Sequence, residues 1–82
     1  MSTATSDVVG LALDRLRWTV TDLWVATVGI GVDLSRYDLA AIVAGSSPAT
    51  PMEHDTIAVA LNDRLVELGD GRPVAYWDEL PA

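Results

Sequence analysis

Seven residues constrain this chain more than any others. Val9, Leu13, Leu16, Val20, Leu23, Thr27 and Ile30 recur at alternating spacings of four and three. That is the pattern of one apolar stripe on an α-helix. Ser6 has the hydroxyl an N-cap needs to accept from a first-turn N–H, and Asp7 puts a negative charge at the positive end of the helix dipole. No proline interrupts the run, and Gly29 and Gly31 offer a stop. The expectation is a single rod over residues 7–29, roughly 35 Å long at about 1.5 Å per residue.

A second line of the same rod carries Leu11, Trp18 and Val25, seven residues apart. On an unbroken helix it runs opposite the main stripe, on the side that also holds Asp7, Asp14, Thr21 and Asp22. Another segment of the same chain can cover such a line, and so can a partner. Tryptophan is enriched at interface hot spots. Leu11, Trp18 and Val25, with Trp24 beside them, are the candidate interaction residues.

Length sharpens that choice. Eighty-two residues make one domain, and a chain of this size buries only about 60–65% of its unfolded surface. Half of the residues are nevertheless apolar, which favours stability drawn partly from association. There is no cysteine, so disulfides and thiolate metal sites are excluded, in keeping with a reducing cytosol. The net charge is −7, and the five basic residues, Arg15, Arg17, Arg36, Arg64 and Arg72, are scattered. Such a chain repels nucleic acid phosphates and anionic lipid. The N-terminal MSTATSD has no basic region followed by an apolar run, so no secretory signal is evident. The uncharged run from Leu23 to Val32 is too short to span a bilayer. A cytoplasmic protein without membrane contact is expected.

Residues 1–5 are small and polar, and disorder is expected there. After a turn around Gly31 to Asp33, Ser35 is a candidate N-cap with Asp38 at N3, and Leu34 with Leu39 can form a hydrophobic staple. This marks a second helix over residues 36–44 that buries Leu39, Ile42 and Val43 and ends at Gly45. GSSPA is a loop by composition. Thr50, Pro51 and Glu53 then form the clearest helix start in the chain: N-cap, N1 proline and capping box. The third helix spans residues 51–68, with His54, Ile57, Ala58, Leu61, Leu65 and Leu68 on its core face; Asn62, Asp63, Arg64 and Glu67 mostly face water. Pro73 biases Arg72 towards an extended backbone, so an extended tail should lay Val74, Tyr76 and Trp77 back on the helices. Asp78 to Leu80 can form one turn. The fold class is therefore all-α: three helices and an extended C-terminal tail, with no internal repeat.

Reactive chemistry finds little support. His54 lies in the run Glu53-His54-Asp55, but neighbours on a helix point about 100° apart and cannot converge on one ion. Positions three and four on either side of it hold Ile57, Ala58, Pro51 and Thr50, none of which completes a helical metal pair. A histidine packed at the core edge is the favoured role. Ser46 and Ser47 are near His54 in sequence, but no nucleophile elbow surrounds them. Gly29-Ile30-Gly31 follows a helix, whereas a dinucleotide fingerprint follows a strand. No catalytic, metal-binding or cofactor-binding residue and no cofactor is expected, and the chain is read as a non-enzyme. The main alternative is a helix-turn-helix DNA-binding transcriptional regulator built on helices 36–44 and 51–68. Against it, the first turns of the second of these helices carry Glu53 and Asp55, with no cation before Arg64.

Gly45, the run Glu53-His54-Asp55, Ala60 to Arg64, Leu68-Gly69 and Pro73-Val74 resemble small helical proteins of uncharacterised function from high-GC actinobacteria. The resemblance covers the C-terminal half, and arginine used without lysine agrees with a GC-rich genome. It implies a helical fold and brings no activity. The functional expectation is a non-enzymatic helical protein–protein interaction module, homodimeric or bound to another protein, with a regulatory role open to it.

Overall fold

The computed structural model describes residues 5–80, and these contain four α-helices: α1 Thr5–Leu16, α2 Val20–Gly29, α3 Arg36–Ala44 and α4 Pro51–Glu67. A short 3-10 helix, η1, follows at Trp77–Glu79. The all-α class holds, and no strand occurs among the described residues. The helix count differs from the expectation, because the rod expected over 7–29 is two helices meeting at a corner.

The corner has a local cause. Thr19 is the N-cap of α2, with an extended backbone (φ −86°, ψ 169°). Its hydroxyl accepts from the Asp22 N–H at 3.2 Å, and the Asp22 carboxylate accepts from the Thr19 N–H at 2.9 Å. This reciprocal capping box satisfies two first-turn donors at once. Trp18 and Leu23 occupy the N′ and N4 positions of a hydrophobic staple; Leu23 is in the core and Trp18 packs against it, half-buried. On the other side, α1 is closed by the residue after it, Arg17, whose φ is +56°. The Arg17 N–H donates to the Asp14 carbonyl at 3.2 Å and the Trp18 N–H to the Leu13 carbonyl at 3.0 Å. That pair of bonds is a Schellman closure.

The same closure ends every α-helix. Gly31, Gly45 and Gly69 hold the equivalent left-handed position after α2, α3 and α4, with φ of 82°, 80° and 73°. Their neighbours close the same bonds: Val32 N–H to Thr27, Ser46 N–H to Ala41 and Asp70 N–H to Leu65. Three of the four ends use the residue that reaches this conformation without a Cβ penalty. Only the end of α1 uses a side chain that pays it.

Despite the corner, the main stripe reaches the core. Val9, Leu13, Leu23 and Thr27 are buried, Leu16 and Val20 are half-buried, and only Ile30 at the end of α2 stands exposed. Leu39 and Ile42 of α3 and His54, Ile57, Ala58, Leu61 and Leu65 of α4 are buried as the spacing requires. Leu68, placed on the core face by spacing, is the residue that caps α4 and is exposed. Ala60 is buried although the α4 pattern did not mark it. Packing runs between the two halves: α1 lies against α3 and α4, and α2 lies against the same two.

Residues 1–4 of the segment expected to be disordered lie outside the described residues. Thr5, the last of that segment, corrects the expectation: it is helical and buried. Ser6, expected as the first N-cap, is inside α1. It lies so close to Gly45 that a Cβ there would meet its Oγ at 3.2 Å.

Candidate interaction surface

α2 is apolar over most of its circumference. Its only ionisable residue is Asp22, tied into the cap, and the next charge along the chain is Asp33. A helix of that kind is normally buried on all sides. Here only Leu23 and Thr27 are fully buried, and the Thr27 hydroxyl is satisfied internally by the Trp24 carbonyl at 2.8 Å. Trp24 and Ala26 are half-buried, while Val25 is 58% exposed and Val28 50% exposed. Thr21, Trp24, Val25 and Val28 follow the three–four spacing of a packing face, yet Thr21, Val25 and Val28 look into solvent.

The other candidate residues are placed differently. Leu11 is 65% exposed on α1, but Asp7, Asp14 and Arg15 stand around it at helical spacing. A single apolar side chain among charges is ordinary surface. Trp18 sits in the corner between α1 and α2, half-buried against the core. Because the helix breaks there, Leu11, Trp18 and Val25 do not form one continuous line on one rod. Sequence reasoning missed Val28, which the spacing from Thr21 and Val25 could have revealed.

An open groove of about 350 Å³ lies between α2 and α4. Trp18, Ala26 and Ile30 form one side; α4 contributes Ala60, Asp63 and the ion pair of Arg64 with Glu67 at 2.9 Å. This apolar–charged division gives no convergent set of polar groups for a small ligand. Among the described residues, no group of three or more His, Asp or Glu is placed to hold a metal ion.

His54 is wholly buried and works as a clasp. Nε2 donates to the Ala75 carbonyl at 2.8 Å, and Nδ1 takes the Thr5 hydroxyl at 3.0 Å. A carbonyl can only accept, which fixes the proton on Nε2. Trp77 meets the ring edge-on at a centroid distance of 5.8 Å. Both nitrogens are therefore occupied by structural partners. The role goes beyond packing at the core edge: His54 joins the start of α1, α4 and the tail.

The tail is held chiefly through its main chain. Asn62, expected in water, is half-buried and grips Val74 twice: its Oδ1 accepts from the Val74 N–H at 2.7 Å, and its Nδ2 donates to the Val74 carbonyl at 3.1 Å. Asp55 accepts from the Trp77 N–H at 2.7 Å. Arg15 donates to the Arg72 carbonyl and pairs with Asp70 at 3.6 Å. Asp70 in turn accepts from the Arg72 N–H at 2.8 Å, and this bond, with help from the Arg72 and Arg15 charges, holds its carboxyl below the ordinary range. Val74 is the buried anchor, whereas Tyr76 and Trp77 are 37% and 41% exposed. The tail packs on α4 and meets α1 at Arg15, and the outward face of α2 stays open.

The helix pair of the DNA-binding alternative, α3 and α4, is joined through Gly45 to Thr50. At the start of α4, Glu53 is tied into the cap and Asp55 to the tail. Among the described residues, neither Glu53 nor Asp55 is in an ion pair. No described helix is long and apolar enough to cross a membrane.

The four-helix arrangement with an uncovered apolar helix is as far as the fold classifies the chain. No family model matches it, and no curated protein and no solved structure is significantly similar to it.

Proposed function

We propose that this protein is a non-enzymatic helical interaction module that works as a homodimer, with the outward face of α2 as its contact surface. One observation carries the reading: α2 has no charge outside its cap, yet it leaves Val25 and Val28 more or less half open to solvent. A chain of net charge −7 repels its own copies over most of its surface. The stretch after Asp22 is where two copies can meet without opposing carboxylates. Val25 and Val28, flanked by Trp24, form the centre of the contact; Trp18 borders it, and Leu11 contributes least because charges surround it.

Sedimentation of wild type and Val25→Glu tests the reading. Wild type should show twice the 8.7 kDa subunit mass. Val25→Glu should weaken association by at least about 30-fold, a hot-spot effect of about 2 kcal/mol, with helix content unchanged. A Leu11→Glu change should cost much less. A wild type that stays at the subunit mass at every concentration overturns the proposal.

A further inference from the structure

We infer that the dimer is completed by exchange of α1, the corner at Arg17–Thr19 opening so that α1 of each chain packs on α3 and α4 of the second copy. The inference rests on the self-association proposed above and says how it is built. Three independent observations converge on it.

The first is the stripe. Val9 to Ile30 keeps helical spacing straight through residues 17–19, so one continuous rod would still present all seven side chains on a single face. Arg17, Trp18 and Thr19 include no glycine or proline that forbids an unbroken helix. The second is the backbone. Arg17 is the one described residue other than glycine with positive φ, and straightening would return it to the ordinary helical region, removing the penalty at that residue. The third is the packing. α1 and α2 are both docked on α3 and α4. The packing of α1 on α3 and α4 can therefore be remade on a second copy, together with Thr5 on its His54 and Arg15 on the Asp70 of its tail. Exchange of an identical element is a low-cost route to a dimer.

The chain passes from α1 to the other helices through the corner, so opening the corner is what lets α1 move to a second copy. The bend is kept locally by the capping box of Thr19 with Asp22 and otherwise by the packing of α1 on α3 and α4, which exchange remakes on the second copy. Val25 and Val28 lie on the side of α2 away from Leu23 and Thr27, so exchange leaves their face available for the contact already described.

Variants of the corner in the full chain, followed by sedimentation, test the exchange. Arg17→Gly suits the bent form and penalises a continuous helix, by about tenfold per hinge. With two hinges per dimer, dissociation should become about a hundredfold easier. Val20→Pro should act in the same direction, because N1 of α2 accepts proline whereas the interior of a rod does not. Thr19→Ala removes the cap that only the bent form uses. It should destabilise the monomer and yet tighten the dimer, the opposite of what simple damage to the fold does. If Arg17→Gly and Thr19→Ala leave the dimer constant of an associating wild type unchanged, exchange is wrong and surface docking alone remains. If both weaken it, exchange is equally wrong. If wild type never associates, both proposals fail together.

Discussion

Two of the three turns between α-helices do the same job with different chemistry. Both join a pair of helices, α1 to α2 and α3 to α4, and both begin with a Schellman closure and end in a threonine capping box. At the second corner the left-handed position is Gly45, and five residues separate it from Pro51. At the first, Arg17 holds that position, and only Trp18 and Thr19 separate it from α2. The second corner is set by its own residues. The first depends on its cap and on the packing of α1 and α2 against the other half. The lesson is that a turn can be fully hydrogen-bonded and still be the weakest decision in a fold.

The largest effect is expected where the two halves share one residue. His54→Ala removes the donor to Ala75, the partner of Thr5 and the ring against Trp77. It should cost about 3 kcal/mol in urea unfolding and release the tail. A loss below about 1 kcal/mol would mean that the halves are held without this clasp.

Exchanging the chemistry of the corners comes next. Gly45→Ala puts a Cβ into a left-handed residue and 3.2 Å from the Ser6 Oγ, and should cost about 1–2 kcal/mol. Arg17→Gly should raise the stability of the isolated subunit by up to about 1 kcal/mol, read at concentrations too low for association. Equal losses at both sites would erase the distinction between the corners.

The smallest effect belongs to Asp70. Its carboxyl is depressed mainly by the Arg72 N–H, then by the two arginine charges. A depressed carboxylate adds stability above its unfolded value of about 3.9, and that contribution fades as pH falls through the folded value. The amide resonance of Arg72 should therefore move as the pH falls below about 4, and Asp70→Asn should abolish that movement.

Much of this build is legible in the sequence, and the corner shows why not all of it is. Thr50-Pro51-Glu53 and Ser35 announce their helices because each follows a glycine or a loop that clears the previous element. Thr19 and Asp22 spell the same capping box, with Trp18 and Leu23 as its staple. There, an unbroken apolar period ran across the signal, and the preceding stop was an arginine. Periodicity says which face is buried, and it said so correctly for Val9, Leu13, Leu23 and Thr27. It is silent on whether that face turns a corner. The clasp of Asn62, Arg15 and His54 on the tail was hidden for another reason. These side chains grip main-chain groups, which leave no trace in residue identity. On the candidate surface, Val25 could be found from its spacing, whereas the isolation of Leu11 among charges became plain only once the rod was broken.

The most direct measurement is the separation between spin labels at positions 7 and 29, introduced as Asp7→Cys and Gly29→Cys in a chain that has no other cysteine and diluted into unlabelled protein. If the rod straightens on association, the associated form should show a backbone separation of about 33 Å, and the same pair in a Val20→Pro background should be distinctly closer. One short distance, identical in both backgrounds and at every concentration, would contradict the account.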